Sequence, residues 1–81
     1  MHDGTNSKPT HLRTIGQQIR HFRESVGATQ DEISERCGIY RTYLSRIERG
    51  IANPTISVLV ALAMALHVDI QDLLSNAKKN E

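Results

Sequence analysis

Residues 29–50 read TQDEISERCGIYRTYLSRIERG, a stretch that predicts two short helices joined by a tight turn. Thr29 followed three residues later by Glu32 is typical of a capping box, so we expect the first helix to begin there. Gly38 tolerates the positive φ that ends a helix, and Gly50 occupies the equivalent place after the second helix. Two helices with a short glycine turn between them make a helix-turn-helix.

The second of these helices, over residues 41–49, is predicted to be apolar on one side and basic on the other. At 100° per residue, its polar side chains fall within an arc of about 140°. They are Arg41, Thr42, Ser45, Arg46 and Arg49. The helix would be about 13 Å long, and the major groove of DNA is about 12 Å wide and admits one helix. The polar face therefore has the size and the chemistry to contact the bases of a duplex.

A charged helix face can also be merely solvated, and Arg41 is the residue that separates the two interpretations. A cation in the first turn opposes the helix dipole by about 0.3–1 kcal/mol. Tyr40 also stands where Ser, Thr, Asp or Asn would cap the helix better. A residue that is misplaced for stability indicates function, and in helix-turn-helix proteins the start of the second helix touches the bases. Arg46 and Arg49 carry less weight, because cations suit the end of a helix.

The composition indicates one small domain without a separate catalytic or sensing unit. The 81 residues include ten Lys and Arg against nine Asp and Glu, for a net charge of +1. Overall charge therefore does not indicate a nucleic-acid partner, but residues 36–53 contain four arginines and only one acid, Glu48. Cys37 is the sole cysteine and is expected to pack under the turn. The four histidines lack ligand spacing, so we expect no metal. No set of nucleophile, base and orienting residue, and no paired carboxylates, can be assembled on rigid elements, so we expect no enzymatic activity. No cofactor or small-molecule ligand is expected either.

The N-terminus shows no secretory signal, and the longest apolar run, residues 58–66, is too short to span a bilayer. We therefore expect a cytoplasmic protein that does not enter a membrane.

Three further helices are predicted around the central pair. Ile15, Ile19, Phe22 and Val26 recur on one face of a first helix that ends before Gly27. Thr55 is a good N-cap for a fourth helix, and Asp69 opens a short fifth one. We expect residues 1–12 to form a disordered tail, residues 13–76 to form the domain and residues 77–81 to fray. The fold class is therefore all-α, with five helices.

The fourth helix is apolar on nearly every side, and helix one and the helix-turn-helix can cover only part of it. We expect the surplus apolar surface to form a two-fold dimer interface. The residues assigned to it are Met64, Leu66, Val68 and Ile70. The alternative is that the fifth helix folds back and buries this surface within one chain.

The sequence resembles the phage-repressor-like (Cro/Xre-type) helix-turn-helix family over about residues 14–75. The residues that carry the resemblance are Gln30, Ser34, Gly38, Leu44 and Ile47, together with the string YLSRIERG. The segment RTYLSRIERG is particularly similar to restriction-modification controller proteins, and small prophage repressors look much alike. The resemblance implies a compact five-helix, lambda-repressor-like domain that binds a double-stranded DNA operator. Such domains act as homodimers on pseudo-palindromic operators and repress or activate transcription.

Individual roles follow from the resemblance position by position. The base-facing positions are Arg41, Thr42, Ser45 and Arg46, and the phosphate-facing positions are Gln30, Tyr43, Arg49 and Asn53. Tyr43 equally suits the edge of the core, and Thr29 is expected to act as a cap. The family counterpart of Glu48 pairs with an arginine of helix one, so Arg23 and Glu48 are expected to form a structural ion pair. The sequence departs from the family at Ser34, Tyr40 and Ala52, the last standing where controller proteins often carry a basic residue.

A second class of function is an antitoxin-like interaction module. Such a protein would neutralise a partner protein through the apolar surface of helices four and five. DNA binding that depends on Arg41 and Arg46 distinguishes the two hypotheses.

Overall fold

The computed structural model describes residues 8–75, and the side chains of residues 11–75. Within this range the chain forms five helices and no strand, which confirms the all-α prediction. The helices are α1 (Lys8–Ser25), α2 (Gln30–Cys37), α3 (Arg41–Glu48), α4 (Ile56–Leu66) and α5 (Ile70–Leu74). The predicted fraying of residues 77–81 and the first seven residues of the predicted tail lie outside the described range.

Both ends of α1 differ from the sequence-based prediction. The helix begins at Lys8, so residues 8–12 are helical, whereas the sequence analysis placed them in the tail. Pro9 does not prevent this, because it lies in the first turn, where a backbone N–H has no partner within the helix. At the other end the helix stops at Ser25, and Val26 is 51% exposed in the following turn instead of packing in the core.

The helix-turn-helix is closed by the local bonds that its sequence predicts. The backbone N–H of Glu32 donates to Oγ1 of Thr29 at 3.1 Å, and the N–H of Thr29 donates to Oε1 of Glu32 at 2.8 Å. Gly38 follows α2 with a φ of 72°, in the left-handed region that ends a helix. Tyr40 precedes α3 without any side-chain cap, so the first N–H groups of α3 receive no bond from its side chain.

The core is built around α4, which packs against α1, α2 and α5. Its fully or nearly fully buried apolar residues come from all five helices. They are Ile19, Ile33, Leu44, Ile47, Leu59, Leu62, Ala63, Leu66 and Leu73. Thr55 caps the start of α4, since its Oγ1 accepts the N–H of Val58 at 3.1 Å, and His67 follows the helix in the left-handed region.

The α5 helix packs against α1, where Nε2 of Gln18 donates to the carbonyl oxygen of Asp72 at 3.0 Å. This packing corrects part of the predicted dimer interface, because Leu66 is only 1% exposed and belongs to the core of one chain. Val68 and Ile70 are half-buried against the same core, whereas Met64 is 71% exposed. The surplus apolar surface is therefore smaller than the sequence suggests.

The position of α3 depends on an unusually close crossing with α1. A Cβ atom on Gly16 would lie 2.3 Å from the carbonyl oxygen of Ile47 and 2.7 Å from that of Glu48. Only glycine leaves space for this approach. The crossing therefore fixes the end of α3 against α1.

None of the helices described over residues 8–75 has the length and apolarity needed to cross a membrane.

Candidate nucleic-acid interface

The α3 helix presents its polar face to solvent and its apolar face to the core. Leu44 and Ile47 are 0% and 1% exposed, so they anchor the helix from behind. The residues on the outer face are Arg41, Thr42, Arg46 and Arg49, all exposed, and Ser45, which is half-buried. The four assigned base-facing side chains therefore share one face of one helix.

The residues assigned to phosphate contact lie on both sides of this face. Asn53 is exposed in the loop that follows α3, and Gln30 is half-buried as the first residue of α2. Tyr43 is also half-buried, and it packs against the core. This packing favours the core-edge interpretation for much of the tyrosine side chain.

Arg23 of α1 and Glu48 of α3 form a bidentate ion pair beneath the candidate interface. Nε of Arg23 donates to Oε2 of Glu48 at 2.6 Å, and Nη2 donates to Oε1 at 2.9 Å. The side chains of Arg23 and Glu48 are 12% and 3% exposed. Nη1 of Arg23 donates to the carbonyl oxygen of Ala28 at 2.9 Å, so a third donor is satisfied. The hydrogen bond with Glu48 raises the pKa of Arg23 above its ordinary value, and burial only partly offsets this.

The ion pair is connected to the candidate interface through Gln30. Nε2 of Gln30 donates to Oε1 of Glu48 at 3.0 Å, and its Oε1 accepts a longer bond of 3.4 Å from Nη1 of Arg41. Nε of Arg41 also lies 3.3 Å from Oδ1 of Asp31. The start of α2 therefore holds the first side chain of α3.

Two residues of this region were not predicted from the sequence. Asp31 contacts Arg41 across the turn, ten residues away, a distance that no spacing rule within a single helix covers. Arg13 is exposed beside the loop after α3, because Gly50 allows the backbone of α1 to approach. A Cβ atom on Gly50 would lie 2.8 Å from Cα of Arg13. Within residues 8–75, the side chains of Arg13, Arg46 and Arg49 form no ion pair.

One stripe of apolar side chains remains exposed on the outside of α4. Ile56, Val60 and Met64 recur every four residues and are 67%, 42% and 71% exposed. Residues four apart lie on the same face of a helix, so these three form one continuous stripe. We call Ile56, Val60 and Met64 the α4 stripe.

Neither metal chemistry nor a reactive thiol is indicated by the described part of the chain. No group of three or more His, Cys, Asp or Glu residues within it could hold a metal ion. Cys37 is half-buried and packs against the core, and this burial raises the pKa of its thiol above the ordinary value. The thiolate, which is the nucleophilic form, is therefore disfavoured.

Comparison with known proteins gives consistent matches along the chain. The model of the helix-turn-helix family HTH_3 matches residues 19–73. The HTH-type transcriptional regulator SinR of Bacillus licheniformis is 35% identical over 68 residues, which make up 83% of this chain and 61% of SinR. Control protein C.SmaI of Serratia marcescens is 34% identical over 68 residues, covering 83% of this chain and 81% of C.SmaI.

Structural comparison finds the same similarity. The crystal structure of SinR, the master regulator for biofilm formation, in complex with DNA matches with a TM-score of 0.72 at 37% identity. This match covers 75% of the present chain and 98% of the SinR chain in that structure. The present chain spans 61% of the full length of the Bacillus licheniformis relative, which is less than two thirds.

Proposed function

The chain belongs to the helix-turn-helix family HTH_3, and from this premise we propose that it regulates transcription by binding double-stranded DNA sequence-specifically. The observation that carries the proposal is the geometry of α3. On its inner face the side chains of Leu44 and Ile47 are buried in the core. Its outer face exposes Arg41, Thr42 and Arg46 to solvent. A helix of this kind fits the major groove, with the residues of its first turns against the base edges.

In the complex, we assign base contacts to Arg41, Thr42, Ser45 and Arg46. A guanidinium can bond two acceptors of guanine, and hydroxyl groups can meet several bases or a phosphate. Contacts to phosphate are assigned to Gln30, Tyr43, Arg49 and Asn53, with Tyr43 contributing only the part of its side chain that stays accessible. Arg13 extends this basic surface beside Gly50. Phosphate contacts fix the position of the protein on the duplex, whereas base contacts confer sequence preference.

The protein is proposed to act as a homodimer on a pseudo-palindromic operator, as a repressor, an activator or both. Dimeric helix-turn-helix proteins bind two half-sites about 34–36 Å apart, one turn of DNA. We place the dimer contact on Met64 with the half-buried Val68 and Ile70, and we add Val60 and Ile56 from the α4 stripe. Leu66 no longer belongs to it, because it is buried within the chain. The bacterial cytoplasm is the proposed location, and we assign no catalytic step to the chain.

A gel-shift experiment with DNA flanking the gene of this protein tests the proposal. We expect wild-type protein to shift this DNA. Arg41→Ala and Arg46→Ala should each weaken binding by about 1–3 kcal/mol, the typical contribution of a bidentate contact with guanine. Arg20→Ala is the control, because Arg20 is exposed on α1, pairs with Glu24 and is not among the assigned DNA contacts. Unaltered binding by both α3 variants would refute the assignment of base contacts.

The alternative function, an antitoxin-like module that neutralises a partner protein, is supported by the α4 stripe. An exposed apolar stripe on one helix is a common surface for docking another protein. The oligomeric state distinguishes the two, because a homodimer that uses the stripe leaves it unavailable to a different protein. Failure of wild-type protein to bind DNA, together with a monomeric state, would favour the alternative.

A further inference from the structure

Of the four residues assigned to base contact, Arg41 alone forms an ion pair with an acidic side chain within residues 8–75. Its Nε lies 3.3 Å from Oδ1 of Asp31, and its Nη1 donates to Oε1 of Gln30 at 3.4 Å. Both partners lie in the first turn of α2, so Arg41 is tied to a different helix from its own. An acid at this place is unexpected on a surface that binds phosphates, because like charges repel.

The orientation of Gln30 is fixed by the buried ion pair behind it. The carboxylate of Glu48 can only accept hydrogen bonds, so the group that Gln30 directs toward it is its NH₂ group, at 3.0 Å. The carbonyl oxygen of Gln30 then faces the other way, toward Arg41. Arg41 is therefore held by one hydrogen-bond acceptor, the carbonyl oxygen of Gln30, and by the charge of the nearby Asp31 carboxylate.

Holding Arg41 in this way leaves enough donors for a base. A guanidinium has five N–H donors and no acceptor. Gln30 engages one of them and Asp31 balances the charge, so the remaining four can serve the two acceptors of a guanine edge. A long side chain that is already oriented loses less conformational freedom when it binds. The pair is exposed, with side-chain exposures of 52% for Arg41 and 80% for Asp31, so it adds little to the stability of the fold.

We propose that Asp31 is a specificity-determining residue of the DNA interface, acting through Arg41. Asp31 keeps the guanidinium of Arg41 oriented toward a base edge. It also disfavours binding of this guanidinium to the phosphates that every duplex presents. The carboxylate also makes every duplex less favourable by repulsion, and only an operator that engages Arg41 compensates for this. Asp31 is thus a positioning residue, and this inference rests on the proposed function.

The test compares Asp31→Asn with wild-type protein on two duplexes, an operator obtained by selection from random duplexes and an unrelated sequence. Asparagine has nearly the shape of aspartate and lacks its charge. We expect tighter binding to the unrelated duplex and a fall of about fivefold in the preference for the operator, the lower end of what one bidentate contact confers. Repeated selection with the variant should relax one base pair in each half-site and leave the others unchanged.

Two controls separate positioning from a general effect of charge. Glu24→Gln removes one negative charge from an exposed ion pair with Arg20, 3.1 Å long, on α1. It should leave the preference for the operator unchanged. In the Arg41→Ala background, Asp31→Asn should no longer alter this preference, because residues that act through one another are not additive.

The outcomes distinguish this inference from the proposed function. If Asp31→Asn strengthens binding to both duplexes by the same factor, Asp31 acts only as a charge and the inference is wrong while DNA binding stands. The inference is also wrong if the effect persists unchanged without Arg41. If wild-type protein selects no sequence at all, the proposed function fails and the inference fails with it.

Discussion

Glu48 is the residue on which stability and the candidate interface both depend. Its carboxylate accepts bonds from Arg23 and Gln30 and is 3% exposed, beneath the candidate interface. The raised pKa of Arg23 means that its contribution to stability is complete at every pH below the ordinary value for arginine. That contribution is lost only when the pH rises through the raised pKa, in strong alkali. Titration of Arg23 therefore gives no pH dependence near neutrality.

Glu48→Ala should lower the free energy of unfolding by about 3–5 kcal/mol, because it leaves the largely buried guanidinium of Arg23 without its partner. Urea denaturation followed by circular dichroism measures this. Glu24→Ala, which breaks the exposed pair with Arg20, is the control and should cost at most about 1 kcal/mol. Replacing both buried partners with apolar residues, Arg23→Met with Glu48→Leu, should cost less than Glu48→Ala. Equal costs for Glu48→Ala and Glu24→Ala would contradict the structural role.

Arg49→Ala should reduce the salt dependence of DNA binding. Each phosphate neutralised by a cation contributes about −0.9 to the slope of log affinity against log salt concentration, so the slope should become shallower by about one. Asn53→Ala provides the contrast. The neutral amide releases no counterion, so this variant should weaken binding without changing the slope. Titrations at several salt concentrations decide this, and an unchanged slope for Arg49→Ala would remove Arg49 from the phosphate contacts.

The thiol of Cys37 should react slowly in the folded protein. Its raised pKa means that the folded state binds the thiol proton more tightly than the unfolded state does. The resulting stabilisation is present below the ordinary pKa of cysteine and is lost as the pH rises through the raised value. The rate of alkylation by iodoacetamide, followed against pH, should give a higher apparent pKa in buffer than in concentrated urea. Coincident profiles would show that Cys37 is not protected by burial.

At the scale of elements, the crossing of α1 and α3 decides where the candidate interface lies. Gly16 allows the carbonyl oxygens of Ile47 and Glu48 to touch the backbone of α1. The same crossing brings Arg23 within bonding distance of Glu48. The end of α3 is therefore held by a backbone contact and by an ion pair, and its beginning is held through Arg41 by α2.

Gly16→Ala should destabilise the protein by about 1–3 kcal/mol, the usual cost of forcing an extra carbon into a packed site. The added methyl group would lie against backbone atoms, which cannot rotate away. Operator affinity should fall as well, because α3 would be displaced. Gln17→Ala, at the exposed neighbouring position of α1, is the control and should change neither property. Thermal unfolding and gel shifts of both variants provide the measurement, and a Gly16→Ala protein as stable as wild type would contradict the crossing.

At the scale of the whole molecule, the proposed homodimer requires an exposed surface that could join two chains. The described residues bury one core in common, which includes Ala63 and Leu66 of α4 and Leu73 of α5. The α4 stripe is what remains uncovered on that helix. A homodimer through this stripe is therefore expected to be smaller in area than the sequence suggests, and its formation should depend on few residues.

Met64→Glu should convert the proposed homodimer to a monomer while leaving the helical content unchanged. A charge at a 71% exposed position costs the single chain little but opposes burial at the dimer contact. Sedimentation velocity measures the mass of the species. Val26→Glu is the matched control, since Val26 is an exposed apolar residue outside α4. Equal dimerisation of the two variants would place the contact elsewhere.

The sequence by itself determined the local features of this protein. The capping box at Thr29, the left-handed Gly38, the uncapped start of α3 at Tyr40 and the two faces of α3 all depend on residues within about one turn of each other. Hydrogen bonds between near neighbours and the periodicity of a helix depend only on the local order of residues. Five helices and the composition of the α3 face could therefore be predicted.

Only the tertiary structure decided which of these helices touch, and how closely. It buried Leu66, exposed Val26, brought Gly16 against α3 and paired Asp31 with Arg41. These outcomes depend on contacts between separate helices, whose orientation is set by the packing of the whole core. An apolar residue at the end of a helix can face the core or solvent with the same local sequence, and the neighbouring helix determines which.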